Sequence, residues 1–245
     1  MTVVPPPWLN VLHEDEDLLV VDKPAGLVCH PSKDGPASSL IGRTRLHLGS
    51  EEGRLVNRLD RETSGAVVIA RNREVASALG RAFARGAVTK RYLAIVHGHV
   101  DDETEVSAPL GRDESSPVAI KDCVRADGAP ALTRVRVLRH LTSDAAGPLS
   151  LVDVQPASGR KHQIRIHLAH VGHPIVGDKI YGGDERRYLR FIAGELSDDD
   201  RRALVVGDHL LHALDIGFEW RGAVREWRAP VPERFHQFAG GRIEA

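Results

Sequence analysis

Aromatic residues, cysteine and net charge are all scarce in this chain. Aromatics make up 4% of its 245 residues, so no base-stacking platform can be assigned from composition. Cysteine occurs at Cys29 and Cys123 alone, without CxxC spacing. That excludes a disulfide framework and leaves both as inert thiols. Apolar runs are short: LLVV (18–21) and AVVIA (66–70) are far too brief to cross a bilayer. The opening MTVVPPPWLN has neither a basic start nor an apolar signal core. A soluble, cytoplasmic protein that meets no membrane is the expectation. What is abundant is core material, 42% hydrophobic residues, enough for one large domain or two small ones.

Net charge is −1, which by itself advertises no polyanionic partner. The distribution is less even. Residues 54–91 carry Arg54, Arg58, Arg61, Arg71, Arg73, Arg81, Arg85, Lys90 and Arg91 against Asp60, Glu62 and Glu74. Acids gather in HEDED (13–17), DDETE (101–105) and SDDD (197–200). Such asymmetry can build a basic face for phosphate backbones, or simply a solvated mixed surface.

The chain shows no repeats and no long low-complexity segment. Residues 1–12 read as a proline-stiffened arm. LLVVDKP (18–24) and AVVIA (66–70) read as strands, as do RYLAIVHGHV (91–100), TRVRV (133–137) and LSLVDV (149–154). Asn72 is a good N-cap for a helix over 73–85, with Val75, Leu79, Ala82 and Phe83 on one face and Gly86 as the stop. In 155–183, Ile164, Leu168 and Val171 share a helical face that Gly172 and Pro174 terminate. Arg165 falls beside Ile164, near the buried edge. Residues 101–130 are polar and aperiodic, and read as an insertion or mobile loop. Residues 184–207 read as irregular apart from a helical SDDDRRALVV portion. Strands interrupted by single helices predict an α+β fold.

Three segments carry chemistry together: NRLDRETSG (57–65), KRYLA (90–94), and GRKHQIRIHL (159–168) followed by GHPIVGDKIYG (172–182). In this order and spacing they resemble the RluA-type pseudouridine synthases. VVDKPAGLVCHPS (20–32) and LLHALDIGFEW (210–220) resemble that family's opening and closing strands, so the likeness runs from about residue 12 to about 232. Two departures stand out. Asn57 occupies a position where the family usually has His, and Glu219-Trp220 one where His-Pro is commoner. The resemblance implies a central mixed, mostly antiparallel sheet in two halves, flanked by helices and loops, with a catalytic cleft between the halves. Residues 1–245 are expected to form a single catalytic domain; about a dozen residues precede the first strand, too few for the S4 RNA-binding domain that many relatives carry.

The implied reaction isomerises uridine to pseudouridine in RNA without a cofactor. The bond from uracil N1 to the ribose breaks, and the same base rejoins through C5. Asp60 is the implied carboxylate, either attacking the anomeric carbon or taking a proton from the ribose 2′ carbon; both routes need it ionised in a partly dry pocket. Alone, Asp60 would read as a turn acid paired with Arg58 or Arg61. Arg165 resembles the family's arginine partner for this Asp, a role suited to a fork-shaped, permanently charged group. Tyr92 resembles the active-site tyrosine that stacks on uracil and can assist loss of the C5 proton; otherwise it is a strand-core residue. Arg58 resembles the arginine that fills the space left by the flipped-out base. Arg160 and Lys161, at the start of the motif helix, are expected to face phosphate, or else serve solubility. Arg61 and Glu62 are expected to be solvated loop residues.

Other readings compete. His162, His167, His170 and His173 evoke a metal site, but HxxHxxH spreads around a helix, and no HExxH, Cys or carboxylate stands at ligand spacing. A phosphotransferase would need a phosphate loop that the chain lacks. A catalytically inactive RNA-binding or ribosome-assembly protein of the same fold is the remaining alternative. The expected partner is RNA, large-subunit rRNA before tRNA, bound by a monomer without metal.

Overall fold

The computed structural model describes residues 9–31 and 35–244. In chain order the strands are β1 (Asn10–Glu14), β2 (Leu18–Lys23), β3 (Arg54–Leu55), β4 (Ser64–Ala70), β5 (Val88–His97), β6 (Glu103–Ser107), β7 (Leu110–Arg112), β8 (Asp122–Val124), β9 (Leu132–Ser143), β10 (Gly147–Pro156), β11 (Leu211–Trp220) and β12 (Ala223–Arg228). The helices are α1 (Leu40–Leu48), α2 (Arg73–Ala84), α3 (Gln163–His170), α4 (Arg186–Ala193), α5 (Asp198–Leu204) and α6 (Glu233–Phe238). Among the described residues no helix is long and apolar enough to cross a membrane. The class is α+β, as the sequence implied, and the chain forms two compact units, each with its own strands.

One unit comprises residues 1–90 and 213–230. Strand β2 pairs antiparallel with β1 on one side and β4 on the other; β3 also pairs with β4, and β12 with β11. Strand β4 is buried along its whole length, which explains why it reads as an unbroken apolar run. Helix α2 forms as its sequence predicts. Asn72 Oδ1 accepts from the Val75 N–H at 2.9 Å, and Val75 and Leu79 pack on Leu18, Val68 and Phe218. The acidic run 13–17 works as an anchor rather than a solvated face. Asp17 accepts from the Trp220 indole N–H at 2.9 Å and pairs with Arg221, while Asp15 pairs with Arg225. The second departure, Trp220, thus has a structural use.

The other unit comprises residues 91–212 and 231–245. Residues 91–97 of β5 pair antiparallel with β10, β10 with β9, and β9 with β6. Helix α3 lies against β9 through Thr133, whose hydroxyl meets Gln163 Nε2 at 3.0 Å and His167 Nδ1 at 2.8 Å. The expected loop at 101–130 instead carries β6, β7 and β8, with β7 and β8 forming a hairpin. In β6 only Val106 is buried, so the strand lacks the apolar alternation that would reveal it. At the other end, β1 starts at Asn10 inside the expected arm, and residues 1–8 lie outside the described residues. Residues 184–207 hold two helices, α4 as well as the anticipated α5.

Candidate active site

The segment 54–65 is built by a ladder that changes from main chain to side chain. Arg54 and Leu55 pair with Ala70 and Ile69, and the Val56 N–H donates to the Val68 carbonyl at 2.9 Å. The chain then leaves β4, and the Asn57 side chain takes over. Its Oδ1 accepts from the Val68 N–H at 2.8 Å, and its Nδ2 donates to the Ala66 carbonyl at 3.4 Å. Asn57 therefore satisfies strand groups that would otherwise be unpaired inside the protein.

Beyond Asn57 the segment 23–30 clasps the loop. Lys23 is fully buried, and its ammonium donates to the carbonyls of Pro24, Leu27 and Arg61 at 2.9, 2.8 and 3.1 Å. Cys29 Sγ donates to the Leu59 carbonyl at 3.3 Å and stands 3.4 Å from the Leu59 N–H. The peptide that precedes Asp60 and the one that follows Arg61 are thus both held. Burial pushes the Cys29 thiol up, which suits an inert, structural thiol. Asp60 itself is half-buried, and its carbonyl accepts from the Thr63 N–H at 3.2 Å to close the turn. Arg58 is exposed, with Nη1 3.5 Å from His30 Nε2. Arg61 is exposed as expected, and its Nε donates to the Gly26 carbonyl at 3.3 Å. Glu62 is not solvated: it is buried with Thr63 and Ser64 where the loop enters β4. Gly65 has φ 116°, and a Cβ there would stand 2.1 Å from the Ala213 carbonyl oxygen, so only glycine fits.

In the second unit Tyr92 is a half-buried residue of β5, opposite Val154 of β10. Helix α3 is buried on nearly all sides from Gln163 to Leu168, which is why its amphipathic signature is weak. Arg165 is buried with a defined partner: Nε donates to Asp178 Oδ2 at 2.6 Å and Nη2 to Oδ1 at 2.8 Å. Its guanidinium also lies 5.1 Å from the ring centre of Tyr181. The Tyr181 hydroxyl is 2.9 Å from His162 Nδ1 and accepts from the Asp122 N–H at 3.2 Å. Burial pushes the Asp178 carboxyl up, but Arg165, His209 and the Tyr181 N–H more than reverse this and hold it well below the usual carboxylate range. Asp178 and Tyr181 were not singled out from the sequence, although both are letters of the GDKIYG stretch.

Arg160 and Lys161 precede α3 rather than opening it, because the helix begins at Gln163 after His162 in a left-handed conformation. Both are exposed; Arg160 Nε donates to the Pro130 carbonyl at 3.4 Å, and Lys161 pairs with Asp122 at 2.8 Å. The basic bias of 54–91 is partly cancelled in space, since Arg71 meets Glu14 and Arg91 meets Asp153. Among the described residues no group of three or more His, Cys, Asp or Glu could hold a metal ion. His167 uses both ring nitrogens within the fold, on Thr133 and on the Ala108 carbonyl. Thus Arg58 and Asp60 share one clasped loop, and Arg165, Arg160 and Lys161 gather about α3, with Tyr92 on β5.

Residues 17–170 match the family model described as RNA pseudouridylate synthase. The chain is 37% identical over 183 residues to the uncharacterized RNA pseudouridine synthase YhcT of Bacillus subtilis, covering 73% of this chain and 59% of that protein. It is 33% identical over 236 residues to ribosomal large subunit pseudouridine synthase D of Yersinia pestis, covering 92% and 68%. The solved structure of human RNA pseudouridylate synthase domain containing 1 superposes with a TM-score of 0.71 at 28% identity, covering 91% of this chain and 83% of that one.

Proposed function

The chain belongs to the RNA pseudouridylate synthase family, in its RluA-type branch, and from that premise we propose that it isomerises a specific uridine of large-subunit rRNA, with tRNA as the second substrate class. The observation that carries the reading is the match over residues 17–170, which contains all three chemistry-bearing segments up to Arg165. The rRNA preference draws support from the likeness to ribosomal large subunit pseudouridine synthase D. We read residues 1–245 as one catalytic domain, a cytoplasmic monomer that uses no cofactor or metal.

In the proposed mechanism Asp60 acts on the ribose of a flipped-out uridine, as nucleophile at the anomeric carbon or as base at the 2′ carbon. The C1′–N1 bond breaks, N1 gains a proton, C1′ bonds to C5, and the C5 proton leaves. A carboxylate that must meet one carbon atom needs a fixed main chain, and the grip of Cys29 on the Leu59 carbonyl and of Lys23 on the Arg61 carbonyl supports that role for Asp60. Tyr92 stacks on the uracil and assists loss of the C5 proton. Arg165 favours the ionised form of Asp60. Arg58, exposed on the same loop, fills the vacated stack, and Arg160 and Lys161 meet phosphates, Lys161 by exchanging Asp122 for RNA.

Tritium release from RNA labelled at uridine C5 tests this. Wild type should release tritium, and Asp60→Ala and Arg165→Met should not, while both variants still bind RNA. Full activity in Asp60→Ala would sink the mechanism. Wild-type binding without release on any RNA tried would identify the inactive RNA-binding or ribosome-assembly alternative.

A further inference from the structure

Asp178 sits in the loop after α3, with its side chain wholly out of solvent. Its Oδ1 accepts from the N–H groups of Ile180 and Tyr181 at 2.9 and 3.0 Å, and its own carbonyl accepts from Gly182 at 3.0 Å. A Cβ at Gly182 would stand 2.4 Å from that carbonyl oxygen, so the spacing from Asp178 to Gly182 is dictated by the turn. One carboxylate oxygen is enough for such a turn, and an Asn could supply it. The second oxygen, Oδ2, accepts from Arg165 Nε at 2.6 Å, and Oδ1 also accepts from Nη2. A planar two-bond pair fixes both the position and the plane of the guanidinium. The turn fixes the carboxylate in its place, so the anchor does not depend on Arg165.

We infer that Asp178 is a positioning residue for the proposed reaction: it fixes the plane of the Arg165 guanidinium and balances its charge, so that the group proposed to serve Asp60 is held in one orientation. The inference rests on the assignment of Arg165 as partner of Asp60 and deepens it. The charged and titratable groups around Asp178 are Arg165 from α3, His209 ahead of β11, and Tyr181 on its own loop, with Asp122 of β8 behind Tyr181. Lys179, the next residue, donates to the Gly207 carbonyl. Among the described residues only Arg165 makes the two-bond contact with Asp178.

Asp178→Asn keeps an acceptor for Ile180 and Tyr181 and removes the charge. On an RNA that wild type modifies, the variant should lose roughly 10- to 100-fold in kcat, with KM for RNA unchanged within about threefold, because orientation and not binding is lost. The low-pH limb of its rate profile should move about one unit lower, because an uncompensated guanidinium favours ionised Asp60. Unchanged kcat, or a loss of activity with the limb unmoved, overturns the inference. If Asp178→Asn does not fold, the double variant Arg165→Met/Asp178→Asn decides. A folded double variant means that Asp178 answers the charge of Arg165 and supports the inference; an unfolded one makes Asp178 a turn-former and overturns it. The two failures are distinct. A wild type that releases no tritium defeats the functional reading and this inference with it, whereas an active wild type beside an indifferent Asp178→Asn defeats this inference alone.

Discussion

Asn57→Ala should cost stability and spare most of the activity. The side chain makes one good bond, Val68 N–H to Oδ1 at 2.8 Å, and one long one, Nδ2 to the Ala66 carbonyl at 3.4 Å. Val68 is fully buried, so without Oδ1 its N–H has no ready replacement from solvent. A buried donor left unpaired costs about 1–3 kcal/mol. The 3.4 Å contact adds little, and the half-buried position of Asn57 lets the truncated site partly rehydrate. The expected loss is therefore about 1–2 kcal/mol, or roughly 2–8 °C in Tm for a chain of this size. Catalysis should fall by less than about tenfold, an effect of about 1.4 kcal/mol, because Lys23 and Cys29 hold the peptides around Asp60 independently. Urea unfolding followed by circular dichroism, with tritium release on the same preparations, reads both quantities. Asn57→His can still place a ring nitrogen near the Val68 N–H and should lose less than Asn57→Ala. An Asn57→Ala protein within about 0.5 kcal/mol of wild type would refute the ladder argument, since surface substitutions fall in that range.

Gly65→Ala forces a Cβ to 2.1 Å from the Ala213 carbonyl oxygen at φ 116°, with main chain on both sides of the clash. It should cost more than about 3 kcal/mol, and a soluble variant with near-native urea midpoint would disprove that close approach. Asp22, facing Asn10 across the β1–β2 ladder, has its carboxyl pushed up by burial to about 6 from the ordinary 3.8. Because the folded value is the higher one, Asp22 costs nothing below pH 3.8, and the cost grows as pH rises to about 6 and stays above it. The full displacement corresponds to about 3 kcal/mol, and partial exposure reduces this to about 1 kcal/mol. Asp22→Asn should then raise Tm at pH 7.5 but not at pH 4; equal shifts at both would contradict the assignment.

Much of the fold was legible where burial writes a period into the sequence. Strands β2 and β4 are buried along nearly their whole length and read as apolar runs; α2 has a capped, one-sided pattern. What stayed hidden was polar structure supported by neighbours. Strand β1 buries no residue fully and β6 buries only Val106, so each owes its conformation to ladder bonds with β2 and β9. Helix α4 is a different case: it has no fully buried residue and is tied down by Arg190, which pairs with Asp184 and Asp200, yet RRYLRFIA carries a one-sided pattern that a local window does record. Ladder bonds of this kind depend on chain proximity, which no local window of residues records.

The site divides in the same way, for a sharper reason. Residues proposed to do chemistry are recognisable because chemistry demands particular functional groups: a carboxylate at 60, a ring at 92, a guanidinium at 165. Residues that hold them are recognisable only when the partner is another side chain. Asp178 could have been read from GDKIYG, since a buried guanidinium calls for a carboxylate. Lys23, Cys29 and Asn57 act instead on main-chain groups of Arg61, Leu59 and Val68. Every residue but proline offers the same N–H and C=O, so the identity of the held residue carries no trace of the contact. Glu62 errs in the opposite direction: a charged letter in a turn implies solvent, yet the loop's entry into β4 buries it. Asn57 is the instructive case, because its departure from the family's usual His matters little if what the position supplies is an acceptor for one strand N–H, and the Asn57→His variant measures that directly.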